Sequence, residues 1–144
     1  MNDEVQQQIN SQVDKARLIA ISAHSGQFRR DGKTSYIEHP YAVAKRVAHL
    51  GEKYVCVALL HDVLEDTKVT AHDLLTMGIE EDIVVAVQLL TKHPSRSYDE
   101  YLKLVKLNGL AREVKIADML SNLADSPTNK QIRKYSQGLL FLTE

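Results

Sequence analysis

The chain has 144 residues, of which 44% are hydrophobic and 26% charged, and its formal net charge is −1. These values are ordinary for one globular domain and give no electrostatic argument for a nucleic-acid or membrane-surface partner. The single cysteine, Cys56, excludes an internal disulfide, and its apolar surroundings predict a small buried hydrophobe rather than a nucleophile. No apolar stretch is long enough to span a bilayer and residues 1–10 lack a signal-peptide pattern, so we expect a cytoplasmic protein.

Helical periodicity runs through most of the chain, which contains only three prolines and six glycines. An amphipathic stripe predicts one long helix over about residues 3–26. A polar loop at residues 23–35 follows, and loops of this length and charge often carry function. A second helix is predicted to start near Pro40, which suits a first helical turn because it lacks an amide hydrogen. His39 then stands at the entrance of this helix, beside the loop.

The central segment, residues 53–65, joins an apolar first half to a cluster of ionisable side chains. In one continuous helix, His61, Asp62, Glu65 and Asp66 are spaced by three and four residues and stack on neighbouring turns of one face. A solvated acidic helix end would explain Glu65 and Asp66, but not why His61 directly follows an apolar run. Crowded carboxylates repel one another unless a cation holds them, so we interpret the cluster as a metal and acid–base site.

Five more helices are predicted, over about residues 71–77, 80–90, 98–107, 111–123 and 129–142. Thr70 is the expected cap of the first of them. Asp118 falls within the apolar stripe of the helix over 111–123, with Asn122 four residues later on the same face. A carboxylate in such a stripe is costly unless it is paired or bound to metal, so Asp118 is a candidate remote ligand. With no repeat or linker, residues 1–144 are expected to form one all-α domain.

Five segments of the chain carry a longer pattern, and they occur in the order AHSGQFRRDG at 23–32, YIEHPYAVA at 36–44, LHDVLEDT at 60–67, LTK at 90–92 and VKIADMLSNL at 114–123. Together they resemble the HD phosphohydrolase superfamily, and within it the small hydrolase domains of Rel/Spo-type enzymes that degrade the alarmone (p)ppGpp. The resemblance implies a compact HD-domain bundle of about six to eight helices.

The same resemblance implies a metal site and a catalytic pair. It assigns the ligands of one divalent ion, usually Mn²⁺ in the family, to His39, His61, Asp62 and Asp118. Two imidazoles and two carboxylates do not by themselves choose among Mn²⁺, Fe²⁺, Zn²⁺ and Ni²⁺. It also makes Glu65 and Asp66 the acids that orient and deprotonate a metal-bound water, which attacks the 3′-diphosphate and releases pyrophosphate.

The expected substrate contacts lie in the loop and on two later segments. By resemblance, Arg29 lies near the guanine base and Asn122 contacts the nucleotide sugar. Arg30, Lys33 and Lys92 are expected to neutralise phosphates, a role that follows from charge and placement rather than from the motif.

Other histidines and tyrosines receive structural interpretations. His24 is predicted to be a hydrogen-bonded histidine that braces the loop at Gly26. The remaining histidines outside the motifs, His49, His72 and His93, are expected at the surface. Tyr98 and Tyr101, three residues apart on a helix, are expected to serve helix packing rather than base stacking.

The sequence therefore favours a metal-dependent (p)ppGpp 3′-pyrophosphohydrolase with a small nucleotide as its substrate. Two alternatives stay open: an HD phosphohydrolase that acts on another nucleotide, such as a monophosphate or a dinucleotide cofactor, and a catalytically silent, metal-stabilised sensor module. The intact pair Glu65 and Asp66 argues against the silent module. Only 22 residues follow Asn122, where longer relatives add helices that help enclose the diphosphate.

Overall fold

The computed structural model describes residues 3–144, with side chains from Gln12 onward. Their helices are α1 (Asp3–Ala23), α2 (Glu38–Val47), α3 (Glu52–Leu60), α4 (Val63–Asp66), α5 (Ala71–Thr76), α6 (Glu81–Leu90), α7 (Tyr98–Lys106), α8 (Gly109–Leu123) and α9 (Asn129–Thr143). Extended pairing in this range is confined to an isolated bridge between Phe28 and Ser35. The predicted all-α fold is confirmed, and none of these helices is both long and apolar enough to cross a bilayer.

Several helix starts are fixed by side chains that accept hydrogen bonds from the first turn. Thr70 caps α5 in a capping box with Asp73, as the sequence predicts. Thr128 and Gln131 form the same arrangement at the start of α9. Helix α9 packs against α7 and α8 through its small and apolar side, where Gly138 lies close to Leu102 and Met119 and Leu142 is buried.

Helix α3 lies at the centre of the bundle and packs against α1, α2, α6 and α8. Residues 56–60 are buried on every side, as expected of a helix that is apolar all around its axis. Burial raises the pKa of the Cys56 thiol to about 12, so this cysteine is the buried hydrophobe that its surroundings predicted. The end of α3, at Leu59 and Leu60, therefore lies inside the core.

The predicted continuous central helix is interrupted at His61 and Asp62, which lie between α3 and α4. The Ala58 carbonyl, which would accept the Asp62 amide in a regular helix, instead accepts the His61 amide at 3.5 Å and lies 2.6 Å from His61 Nδ1. Consecutive residues of a regular helix point about 100° apart. The interruption lets His61 and Asp62 project toward one centre, which the prediction of a single helix over 53–65 did not anticipate.

Candidate metal centre and nucleotide pocket

Four side chains from separate parts of the fold converge beside the end of α3. His39 lies in the first turn of α2, His61 and Asp62 occupy the α3–α4 interruption, and Asp118 lies on α8. His39 Nε2 is 2.8 Å from Asp118 Oδ1 and 3.9 Å from Asp62 Oδ2. His61 Nε2 is 3.0 Å from Asp62 Oδ2 and 3.5 Å from Asp118 Oδ1. The structure thus brings together all four side chains that the sequence proposed as metal ligands.

The environment of His61 fits a cation. Its Nδ1 donates to the Ala58 carbonyl, so in the neutral imidazole Nε2 carries the lone pair. Nε2 is buried, lacks a directed hydrogen bond, and lies in a group with His39 and Asp62 whose ligand atoms are within 4.8 Å of one another. Burial alone would lower the pKa of His61, but Asp62 and Asp118 raise it well above its usual value. A position that favours positive charge and is surrounded by nitrogen and oxygen donors suits one divalent ion.

Further donors hold the Asp118 carboxylate in place. Lys115 Nζ donates to Asp118 Oδ2 at 3.0 Å, while Asn122 Nδ2 donates to Asp118 Oδ1 at 3.0 Å. Burial opposes ionisation of Asp118, but Lys115 and His39 outweigh it and hold its pKa well below the usual range. Lys115 occupies one oxygen of Asp118 and leaves the other facing the two histidines, which orients this side chain.

Tyr36 is a site residue that the sequence did not single out. Its hydroxyl donates to Asp62 Oδ2 at 2.6 Å and to Asp66 Oδ2 at 3.4 Å, and thereby joins a candidate metal ligand to a candidate catalytic acid. Burial and the adjacent Asp62 raise the pKa of Tyr36, so the hydroxyl remains a donor. Lys115 was also missed, although its position three residues before Asp118 on one helix was a usable signal.

The candidate acids Glu65 and Asp66 lie on α4, at the solvent-accessible side of the cluster. The backbone amide of Lys92 donates to Glu65 Oε1 at 3.0 Å, and the Gln27 side chain donates to the Asp66 carbonyl at 3.0 Å. Burial raises the pKa of Asp66, and the neighbouring Asp62 and Glu65 raise it further. A carboxyl group with a raised pKa beside a cation site is suited to accept and return a proton.

The candidate acids line a pocket of about 370 Å³ together with His39, Asp62 and Asp118. Of the predicted substrate contacts, Arg29, Lys92 and Asn122 line this pocket. Arg30 lies instead in an adjacent cavity of about 630 Å³, which shares Arg29 and His39 with the site. Lys33 lines neither cavity, and its backbone amide donates to Asp31. The structure therefore brings three of the five predicted contacts to the candidate centre.

Arg29 forms the wall between the two cavities. Its Nη2 donates to Asn122 Oδ1 at 3.3 Å and to Asp125 Oδ2 at 3.1 Å, and its guanidinium lies 5.7 Å from the centre of the Tyr36 ring. The two residues proposed to bind one nucleotide are thus in direct contact, although they are far apart in the sequence.

The structural interpretations of the other histidines and tyrosines also have clear outcomes. His24 is buried and its Nδ1 donates to Gln27 at 2.8 Å, which confirms it as a hydrogen-bonded histidine next to the Gly26 turn. The three remaining histidines outside the motifs, His49, His72 and His93, are exposed, as predicted. Tyr101 packs in the core and donates to the Leu90 carbonyl at 2.8 Å. Both Tyr101 and Tyr98 also line the candidate site, which their helix spacing did not reveal.

Comparison with known proteins defines the family of this chain. Residues 16–100 match the HD-domain family, and the chain belongs to that family.

Two curated relatives of the chain carry the same name. It is 52% identical over 59 residues to a guanosine-3′,5′-bis(diphosphate) 3′-pyrophosphohydrolase of Haemophilus influenzae, a match that covers 40% of this chain and 9% of that protein. It is 32% identical over 121 residues to the guanosine-3′,5′-bis(diphosphate) 3′-pyrophosphohydrolase MESH1 of Xenopus tropicalis, covering 77% of this chain and 67% of that protein. The chain therefore spans only a small part of the bacterial relative.

A solved structure described as a metazoan ortholog of SpoT that hydrolyses ppGpp has the same fold. The match covers 92% of this chain and 85% of the chain in that structure, with a TM-score of 0.74 and 24% identity. The resemblance to the HD superfamily and the helical-bundle architecture are both confirmed.

Proposed function

We propose that this chain is a metal-dependent (p)ppGpp 3′-pyrophosphohydrolase, which uses water to split the 3′-diphosphate from a guanosine nucleotide and releases pyrophosphate. The observation that carries the proposal is the placement of Glu65 and Asp66 beside the cluster of two imidazoles and two carboxylates, in the pocket that Arg29 and Asn122 enter. The relatives named for this activity support the substrate assignment.

The metal ligands in this proposal are His39, His61, Asp62 and Asp118. A divalent ion bound there would acidify water and polarise a phosphate oxygen. We propose Mn²⁺, because a set of two nitrogen and two oxygen donors suits a borderline-to-hard ion and the family usually holds manganese. Fe²⁺, Zn²⁺ and Ni²⁺ fit the same donors.

In this proposal the acids on α4 carry out the proton transfer and orient the water. Asp66, whose pKa is raised, takes the proton of the attacking water at its carboxylate. Glu65, fixed by the Lys92 amide, orients that water. The Tyr36 hydroxyl positions Asp62 and Asp66 relative to each other through its hydrogen bonds, and it keeps its own proton throughout.

The charge of the pocket suits a phosphorylated substrate. Four carboxylates line it, from Asp62, Glu65, Asp66 and Asp118, together with four basic side chains, from Arg29, Lys92, Lys115 and Lys134. These charges balance, so a bound divalent ion leaves a net positive site. Arg29 and Asn122 would contact the nucleoside, and Lys92 would contact a phosphate.

A second candidate substrate is favoured by the adjacent cavity. This space of about 630 Å³ opens past Arg29 and is also lined by Arg30 and Arg46, which lie among the acids Asp31, Glu38 and Asp125, so it has room and cationic donors for a second nucleotide unit. A phosphorylated dinucleotide cofactor would fill both cavities. Its hydrolysis would release orthophosphate, which distinguishes it from the pyrophosphate expected of the first candidate.

The deciding experiment follows the products. Purified chain is stripped with chelator, reloaded with Mn²⁺ and incubated separately with ppGpp and with a phosphorylated dinucleotide, and the products are separated by anion exchange. We expect pyrophosphate and GDP from ppGpp, at least 100-fold slower in Glu65→Gln and Asp66→Asn. Glu81→Gln, an exposed acid at the start of α6, serves as the matched control. No turnover of ppGpp by the metal-loaded chain would refute the proposal, and orthophosphate from the dinucleotide would favour the second candidate.

Localisation and partners follow from bulk properties rather than from the site. We propose a cytoplasmic protein, because its one cysteine is reduced and buried. The net charge of −1 supports a small-molecule partner rather than nucleic acid or an anionic membrane surface.

A further inference from the structure

Helix α9 places a lysine at the site that the motifs did not include. Lys134 lines the candidate pocket, with its Nζ 4.4 Å from the centre of the Tyr98 ring and 5.9 Å from that of Tyr135. Within residues 12–144 it forms no salt bridge with a carboxylate. Lys134 is therefore a cation held over aromatic faces, with all three of its N–H donors available to a ligand.

A second lysine, Lys115, and a tyrosine, Tyr98, line the same pocket. Burial lowers the pKa of Lys134, and the next cause is Lys115, so the two ammonium groups lie close enough to repel each other. The hydroxyl of Tyr98 is buried without a hydrogen-bond partner. A buried donor without a partner lowers the stability of the fold, and repulsion between two adjacent ammonium groups lowers it further. Each of these costs is removed by an anion that accepts hydrogen bonds from all three side chains.

These donors lie on a different side of the pocket from Arg29. Asp118 separates them from the candidate metal position, because its Oδ1 faces the two histidines and its Oδ2 faces Lys115. The two sides also open on different neighbouring cavities. Arg29 borders the cavity of about 630 Å³, whereas Tyr98 and Lys134 border a groove of about 420 Å³ between α7 and α9. The pocket thus has one side at Arg29, which we assign to the nucleoside in the proposed function, and another side that carries Lys115 and Lys134.

We propose that Lys134, Lys115 and the Tyr98 hydroxyl form a subsite for the outer phosphate of a diphosphate, which makes the pocket selective for a pyrophosphoryl group over a single phosphate. A diphosphate can place one phosphate at the metal position and its second on these donors, whereas orthophosphate reaches only one of the two places. That the substrate's diphosphate occupies this subsite during turnover rests on the proposed function. The preference of the subsite for pyrophosphate does not.

Calorimetric titration of the Mn²⁺-loaded full chain tests the subsite directly, with inorganic pyrophosphate and orthophosphate as the two probes. Metal content is measured before and after each titration, because pyrophosphate itself chelates divalent ions. Lys134→Met is expected to weaken pyrophosphate binding by about 10-fold to 100-fold, as expected for loss of a charge-assisted hydrogen bond, and to change orthophosphate binding by less than about 2-fold. Tyr98→Phe is expected to weaken pyrophosphate binding by a smaller factor, about 5-fold. Lys130→Met, an exposed lysine one turn earlier on α9 that does not line the pocket, is the matched control.

The outcomes separate this inference from the proposed function. Pyrophosphate binding by Lys134→Met that equals binding by Lys130→Met overturns the subsite, and so does an equal loss for both probes. Thermal unfolding of each variant identifies any loss that arises from misfolding, and Lys134→Arg, which keeps the charge, is expected to retain most of the pyrophosphate affinity. If the chain fails to turn over ppGpp while Lys134 still controls pyrophosphate binding, the proposed function fails and the subsite stands.

Discussion

The buried ion pair between Lys115 and Asp118 permits a quantitative prediction about how the cluster is held without metal. Nζ and Oδ2 are 3.0 Å apart, and the two side chains are only 15% and 9% exposed. At an effective dielectric constant of about 20, unit charges at that distance attract by about 5.5 kcal/mol. Removing one partner of such a pair costs about 3–5 kcal/mol, because the remaining charge is buried and unpaired.

The structure predicts that the two ends of this pair are not equivalent. In Lys115→Met, Asp118 keeps hydrogen bonds from His39 at 2.8 Å and Asn122 at 3.0 Å, so the expected loss is about 1–2 kcal/mol. In Asp118→Asn, Lys115 keeps no carboxylate partner within residues 12–144. Relief of repulsion with Asp62 offsets part of that cost, so we expect about 3 kcal/mol, or roughly 12 °C in Tm for a chain of this length. The double variant should recover to within about 1 kcal/mol of Lys115→Met alone.

Urea unfolding in excess chelator, followed by helical circular dichroism, measures these losses without a metal contribution. Lys103→Met, which removes an exposed lysine on α7, is the control for loss of one positive charge. Equal destabilisation by the two single variants, or additive losses in the double variant, would show that Lys115 does not depend on Asp118 and would refute this account of the cluster.

Three further predictions concern the metal, Tyr36 and the loop. Mn²⁺ at about 100 times its dissociation constant should raise the free energy of unfolding by about 2.7 kcal/mol, a gain that chelator reverses and that His61→Ala lacks. Tyr36→Phe, which removes the 2.6 Å hydrogen bond to Asp62, should weaken metal affinity by about 10-fold to 100-fold in a metal-competition titration, whereas a loss below 2-fold would exclude an orienting role. Hydrogen bonds from Thr34 and the Lys33 amide lower the pKa of Asp31 to about 2. The loop conformation that Asp31 holds should therefore persist above the ordinary value of 3.8 and be lost as pH falls toward 2; a carboxyl NMR titration with a midpoint near 3.8 would contradict this.

Local patterns in the sequence located most of the helices and marked Asp118 as a candidate ligand, whereas the full set of four ligands came from the resemblance to the HD superfamily. Thr70 marked the start of α5 because capping depends on residues within one turn. Asp118 could be identified because a carboxylate in an apolar stripe needs a partner. The interruption at His61 could not be predicted, since it depends on a side-chain bond to Ala58 that competes with the helix.

Long-range contacts account for the site residues that the sequence did not identify. Tyr36 reaches Asp62 and Asp66 only because the loop folds back over α4, where Gln27 donates to the Asp66 carbonyl. Lys134 enters the pocket because α9 packs on α7 and α8. Neither contact has a spacing signature in the chain, because both depend on tertiary packing rather than on helical period.

The groove between α7 and α9 gives a small molecule access to the pocket wall away from the charged centre. Tyr98 and Lys134 form a wall shared by this groove and the pocket, while Leu102 and Phe141 supply its apolar lining. A neutral aromatic compound seated there would contact both shared side chains from outside the pocket and would need no negative charge to do so.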